Sequence, residues 1–119
     1  MRALLFDKRA EIIQEVIVDP KTVSTMQKYI KSDYIDMRPN KIGHFQYVIA
    51  VGDLNTGSRN DETEERTSAM ASFGVPLFYG NLLFFKQNGG EAEDITDEEI
   101  NNIASHMTRI PQMGLVVII

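Results

Sequence analysis

The chain contains no cysteine and only two histidines among its 119 residues. Without cysteine it can form neither a disulfide framework nor a thiolate zinc site, and it has no cysteine nucleophile. Two histidines cannot form a histidine-rich metal site. No apolar run approaches the roughly 20 residues needed to span a bilayer, and Asp7 interrupts the first apolar run too early for a signal peptide. We therefore expect a cytoplasmic protein with no membrane segment, no metal and no cofactor.

Sequence motifs for nucleotide-using and hydrolytic enzymes are also missing. The chain contains no G-x-x-x-x-G-K-[ST] loop, no G-x-G-x-x-G fingerprint and no G-x-S-x-G elbow. Neither His44, at the start of an apolar run, nor His106 has a serine or aspartate at motif spacing. Since no nucleophile and base can be paired by spacing, we expect a protein that is not an enzyme.

The composition is that of an ordinary globular protein, with 43% hydrophobic and 24% charged residues. The length fits one domain over residues 1–119. The net charge is −5, yet residues 1–41 carry eight of the twelve basic residues against only six acids. The acidic balance argues against general nucleic-acid binding, which depends on neutralising cations. A local anion site is still compatible with it, because field geometry matters more than net charge.

Short apolar runs bounded by turn residues predict six strands. They lie at residues 2–6, 11–18, 34–37, 44–51, 82–86 and 115–119. Pro39 is expected to end the third strand, and Asn40-Lys41 to form the turn that follows. Further turns are predicted at 7–9 and 88–90. The last strand is apolar at successive positions, which indicates burial on both faces or an oligomer contact.

Two helices have recognisable starts. Asp19 is the expected N-cap, and Pro20 the first residue, of a helix over residues 20–30. Another helix, over residues 97–107, follows a Thr-x-x-Glu pattern typical of a capping box.

A third helix is predicted over residues 61–73, because acids fill its first turn and a thin apolar face follows. The acidic run at 91–99 lacks the spacing of a calcium loop, and acids at a helix N-terminus already have a structural role. The order β-β-α-β-β-(α)-β-α-β predicts a single α+β domain in which two or three helices pack on a mainly antiparallel sheet.

Three stretches carry a resemblance to a known family: YIKSDYIDMRPNKIGHFQYVIAVGDL (29–54), LNTGSRN (54–60) and YGNLLFFKQNGGEAEDITDEEINNI (79–103). They resemble a small α+β domain family of unknown function from phages, prophages and conjugative elements. In this chain the family's Asn-Arg loop reads Ser58-Arg59-Asn60, with the order reversed and no adjacent proline. The resemblance implies an accessory protein of a mobile element, in the host cytoplasm if phage-encoded, with no established catalytic residues.

The loop GDLNTGSRN, residues 52–60, combines glycines, small polar residues and Arg59. Backbone N–H groups in such a loop can turn toward an anion, and Arg59 can clamp a phosphate through two hydrogen bonds. The alternative is a plain surface loop, which the neighbouring acids Asp53, Asp61 and Glu62 favour. The candidate ligand-binding residues are Asn55, Thr56, Gly57, Ser58, Arg59 and Asn60, together with Tyr79, Arg9 and Arg38, with Lys8 as a further basic residue.

Aromatic residues cluster beside the Gly80-Asn81 turn. Tyr79 could stack on a base, although core packing is the alternative. Phe84 and Phe85 should lie on opposite faces of a strand, so that one enters the core and a helix or partner covers the other.

Two function hypotheses follow. The first is a binding protein that sequesters a small phosphate-bearing ligand, such as a nucleotide immune signal of the host, and so acts against host defence, with its site formed across a homo-oligomer. The second is an interaction module that inhibits a host protein through a strand edge or the acidic helix.

The histidines provide a first test. Replacing both His44 and His106 with alanine is expected to leave any measured activity intact, because neither has a catalytic partner at motif spacing. The test compares the activity of the double variant with that of the unmodified protein, after circular dichroism has shown that the variant is folded. Total loss of activity in a folded double variant would contradict it.

Overall fold

The structure is a computed structural model that describes residues 1–19, 21–52 and 66–119. Within these ranges the chain forms ten strands and two helices. In chain order they are β1 (Arg2–Asp7), β2 (Ile12–Ile17), α1 (Ser24–Ile30), β3 (Ile35–Ile42), β4 (Phe45–Gly52), β5 (Thr67–Met70), β6 (Pro76–Tyr79), β7 (Leu82–Asn88), β8 (Glu91–Glu93), α2 (Asp97–Ser105), β9 (Met107–Ile110) and β10 (Gly114–Ile118). The predicted α+β class is confirmed.

The strands form two sheets. The large sheet has the order β2-β1-β7-β4-β3, with β8 paired to β7, and all its pairs are antiparallel. The small sheet has the order β6-β5-β10-β9, and its β5–β10 pair is parallel. β7 is therefore a central strand, while β2, β3, β6 and β9 are edge strands among the described residues.

Side chains from both faces of the large sheet are buried. One face packs against α2 and the small sheet, with Phe6, Phe84 and Ile103 in a common core. The other face packs against α1, with Leu5, Phe85 and Ile30 in a second core. The predicted separation of Phe84 and Phe85 is confirmed, because alternate residues of a strand point to opposite faces.

Tyr47 connects the large sheet to α2. Its side chain is fully buried, and its hydroxyl donates to the Glu99 carbonyl at 2.9 Å and accepts from the Asn102 amide at 2.9 Å. The ring packs edge-on against Phe84, with centroids 6.3 Å apart. Burial raises the pKa of Tyr47 to about 12, so the phenol stays protonated and able to donate.

The start of α2 agrees with the prediction. The Thr96 hydroxyl accepts from the Glu99 N–H at 3.2 Å, and the Glu99 carboxylate accepts from the Thr96 N–H at 2.9 Å. This reciprocal pair is the expected capping box. The helix ends at Ser105, two residues before the predicted end, because the chain enters β9 at Met107.

The predicted helix over residues 61–73 is wrong where the structure describes it. Thr67–Met70 is strand β5, and its four side chains are all buried between β6 and β10. A helix would bury one stripe of this segment, whereas a central strand buries both faces. Residues 61–65 lie outside the described ranges.

The first helix starts later than predicted. Asp19 does not cap it; its carboxylate accepts from the Lys21 N–H at 2.8 Å in a local turn. α1 begins at Ser24 after Val23, whose side chain makes no capping hydrogen bond. Pro20 lies outside the described residues.

Pro39 does not end a strand. β3 continues through it to Ile42, with Pro39 opposite Val48. An edge strand tolerates proline when the missing N–H faces away from its neighbour. The turn expected at Asn40-Lys41 lies instead at Gly43-His44, where Gly43 takes a φ of +61° suited to a two-residue hairpin.

Three short strands and the division into two sheets were not predicted. β6, β8 and β9 contain only three or four residues each. Runs of this length have too little periodicity to identify a strand. Their conformation depends on pairing with β5, β7 and β10.

We expect Tyr47→Phe to lower the free energy of unfolding by about 1–3 kcal/mol, because it leaves the Glu99 carbonyl and the Asn102 amide each without one buried partner. Urea denaturation followed by circular dichroism measures the change. Tyr34→Phe is the matched control, since Tyr34 is 55% exposed. Equal stability of the two variants would contradict the role of the Tyr47 hydroxyl.

Candidate functional site

The structure places the sequence-predicted ligand residues at different parts of the fold. Arg38 lies on edge strand β3 and pairs with Asp36 at 3.1 Å. Arg9 lies in the β1–β2 turn, at the opposite edge of the large sheet. Within one chain, therefore, the structure does not bring Arg9 and Arg38 together. Residues 55–60 lie outside the described ranges.

Tyr79 belongs to a segment that contacts the β1–β2 turn. It ends β6 and is half-buried, and the next residue, Gly80, donates its N–H to the Arg66 carbonyl at 3.0 Å. The following Asn81 side chain accepts from the Lys8 N–H at 3.0 Å. These contacts bring the Tyr79 segment, Arg66 and Lys8 to the same end of the fold.

The Lys8 side chain is the unusual feature of this end, because it is only 3% exposed. Its ammonium donates to the carbonyls of Met113 and Leu115, both at 2.6 Å. It also lies 5.8 Å from the centre of the Phe6 ring. A buried charge is costly unless it is hydrogen-bonded, and here two carbonyls of the β9–β10 turn and β10 provide that compensation.

Glu11, in the β1–β2 turn, also contacts β9 and β10. Its carboxylate accepts from the Leu115 N–H and from the Arg109 guanidinium, the latter at 3.1 Å. The Leu115 hydrogen bond, and then that of Arg109, lower the pKa of Glu11 below its ordinary value of 4.5. The carboxylate is therefore ionised at neutral pH.

Backbone strain accompanies these contacts. Glu11 and Gln112 take left-handed φ angles of +57° and +72°, which side-chain-bearing residues rarely adopt. Gly114 has a φ of +75°, and a Cβ at this position would collide with the Glu11 carboxylate. Strained residues of this kind persist only where the surrounding contacts over-determine them, and they cluster at functional sites.

Arg66 and Arg109 add positive charge to this end. Burial lowers the pKa of Lys8 from its ordinary value of 10.5, and Arg66 and Arg109 lower it further, while Glu11 raises it. We name Lys8, Glu11, Arg66 and Arg109 the Lys8 cluster. It contains three basic groups and one carboxylate, in a chain whose net charge is −5.

Chemically, the Lys8 cluster suits the binding of an anion. Arg109 is 64% exposed and can reach a ligand from solvent, and guanidinium groups bind phosphate through paired hydrogen bonds. Lys8 is unsuited to nucleophilic attack, because it is buried and its ammonium is bonded to two carbonyls.

Sequence reasoning named Lys8 only as one of several basic residues, and it missed Glu11, Arg66 and Arg109 as site residues. Glu11 and Leu115 are 104 positions apart. No local spacing indicates a contact over such a distance, and the left-handed conformation of Glu11 has no signal in its residue type.

A surface cleft of about 410 Å³ lies between the β1–β2 hairpin and α2. Arg2 in this cleft already donates to Glu15, Asp97 and the Ile95 carbonyl. The Arg2 guanidinium is 31% exposed and bound to two carboxylates, whereas that of Arg109 is 64% exposed and pairs with one, so the cleft is a weaker candidate than the Lys8 cluster.

The other titratable groups singled out in the sequence have local roles. His106 is the C-cap of α2, and its Nδ1 lies 2.8 Å from the Asn102 carbonyl oxygen. In the acidic run, Asp94 accepts the Arg2 N–H at 2.9 Å and Glu99 belongs to the capping box. Over residues 1–19, 21–52 and 66–119, no three His, Asp or Glu side chains gather as they would around a metal ion.

We expect Glu11→Gln to lower stability at pH 7, since it removes the charge that Arg109 and the Leu115 N–H bind. The pKa of Glu11 is lowered by folding, so its contribution is fully present above pH 4.5 and is lost as the pH falls through the folded-state pKa. The difference between variant and unmodified protein should therefore shrink below pH 4.5. Thermal unfolding from pH 7 to pH 3 measures it, with Glu91→Gln as the exposed control. A difference independent of pH would contradict this account.

Neither helix of the described ranges has the length and apolar character needed to cross a membrane. No family model matches this chain, and no curated protein and no solved structure matches it.

Proposed function

We propose that this protein binds and sequesters a small phosphate-bearing ligand, such as a nucleotide signal of host defence, as an accessory protein of a phage or related mobile element. It acts by binding and not by catalysis. The observation that carries the proposal is that Lys8, Arg66 and Arg109 lie at one end of the fold, where Lys8 contacts Asn81, Arg66 contacts Gly80 and Arg109 pairs with Glu11.

The charge balance of the Lys8 cluster supports an anionic ligand. The Glu11 carboxylate offsets one of the three basic groups. A phosphate group would offset the rest, and at close range in a partly buried site this attraction exceeds that of an exposed ion pair. The overall charge of −5 does not by itself exclude such a ligand, because salt screens remote charges over about 8 Å.

Residues 55–60, including Arg59, lie outside the described residues and stay proposed ligand contacts on the strength of their glycines, small polar side chains and arginine. Tyr79 remains the proposed stacking partner for a base, since Gly80 contacts Arg66.

The β5–β6 hairpin favours the second hypothesis, an interaction module. Phe73 is 80% exposed at its tip, and Val75 and Leu77 are exposed beside it. Residues 67–85 carry no charged side chain. Exposed apolar surface of this kind marks contact sites, and self-association through it is part of our proposal. The acidic helix is less suited to docking, because Glu99 is buried in the capping box.

The proposal is tested with a nucleotide panel in thermal unfolding, combined with mass spectrometry of small molecules released by heat. A ligand at 100 times its dissociation constant should stabilise the protein by about 2.7 kcal/mol. Arg66→Ala should weaken binding by about 1.5–3 kcal/mol, the value of a hydrogen bond to a charged group.

Lys41→Ala is the control, because it removes an exposed basic residue of edge strand β3 that is not among the candidate ligand contacts. A melting temperature that ignores every nucleotide, with no small molecule released, would refute ligand capture. Light scattering of the same sample measures self-association, and co-purification with a host protein would favour the interaction module.

A further inference from the structure

The Glu11 carboxylate lies in a cradle suited to an oxyanion. The Leu115 N–H and the Arg109 guanidinium both donate to it. The absence of a side chain at Gly114 makes room for its oxygen, since a Cβ there would collide with it. Donors of this type, a backbone N–H and a guanidinium, are those that bind phosphate oxygens.

We propose that Glu11 is an internal competitor that fills the anion site of the unliganded protein, so that a phosphate of the ligand must displace it. This inference rests on the proposed function. The displaced carboxylate gives up Arg109 and the Leu115 N–H, and phosphate oxygens accept from the same two donors.

The backbone of Glu11 favours such displacement. Glu11 holds a φ of +57° in the turn that follows β1. This left-handed conformation costs free energy for a residue with a side chain, and the two hydrogen bonds of the carboxylate compensate for it. Once the carboxylate leaves, the turn can relax, which offsets part of the cost of opening the site.

Competition by a tethered carboxylate also defines the class of ligand. An attached group acts at a high effective concentration, of millimolar order for short flexible tethers. A monovalent anion such as acetate, which resembles the Glu11 side chain, has no advantage over it. A phosphate or diphosphate carries more charge and more acceptor oxygens, so it can compete. The site thus selects multiply charged phosphates against single carboxylates.

The test uses pyrophosphate as the probe, with the whole chain, in isothermal titration calorimetry. Glu11→Ala should bind pyrophosphate at least about tenfold more tightly than the unmodified protein. Glu91→Ala removes the same charge from β8 and is the matched control; its affinity should change by less than about twofold. Acetate should bind the unmodified protein far more weakly than pyrophosphate. The ratio of the two affinities should be smaller in Glu11→Ala, because acetate no longer competes with a tethered carboxylate. If Glu11→Ala does not fold, as judged by circular dichroism, Glu11→Gln replaces it, because it keeps the side-chain size and loses the charge.

A second measurement reports directly on a donor that binds the Glu11 carboxylate. In the unmodified protein, pyrophosphate should shift the NMR signal of the Leu115 amide, because its acceptor changes. If the unmodified protein binds pyrophosphate but the folded Glu11 variant binds it no more tightly, the competitor role is refuted and ligand capture stands. If neither protein binds pyrophosphate or any nucleotide, both proposals are refuted.

Discussion

The ammonium group of Lys8 joins the two sheets of this protein. Lys8 follows strand β1 of the large sheet, and its hydrogen bonds go to Met113, in the β9–β10 turn, and to Leu115, near the start of β10 in the small sheet. A buried cation needs acceptors, and these carbonyls are available only when the β1–β2 and β9–β10 turns lie against each other. The burial of this charge therefore depends on the contact between the two turns.

The contact between the two turns brings the charged groups of the site together. With the turns together, the Glu11 carboxylate reaches the Leu115 N–H, and Gly114 must lack a side chain. Arg109, on the adjoining strand, then pairs with Glu11. The result is a group of donors and positive charges that the chain itself fills with a carboxylate. The junction between the two sheets and the proposed anion site are therefore built from the same contacts.

Local signals predicted the elements whose patterns are long or chemically distinct. The apolar strands β1, β4, β7 and β10 follow from β-branched and aromatic runs, and the start of α2 follows from its capping box. The prediction failed over residues 67–70, which read as the end of a helix and form a central strand. Local propensity is overridden there by pairing with β10, a strand distant in sequence.

The residue types and their order by themselves determined the α+β class, the burial of Phe84 and Phe85 on opposite faces, and the capping of α2. These features depend on periodicity and on contacts between residues a few positions apart. Only the tertiary structure decided that there are two sheets, that Arg38 lies apart from Arg9, and that Glu11 meets Leu115. The contact of Glu11 with Leu115 spans 104 residues, and the pairing of β5 with β10 also joins distant segments. Such contacts are determined by packing and the compensation of buried charge and leave no pattern in the local sequence.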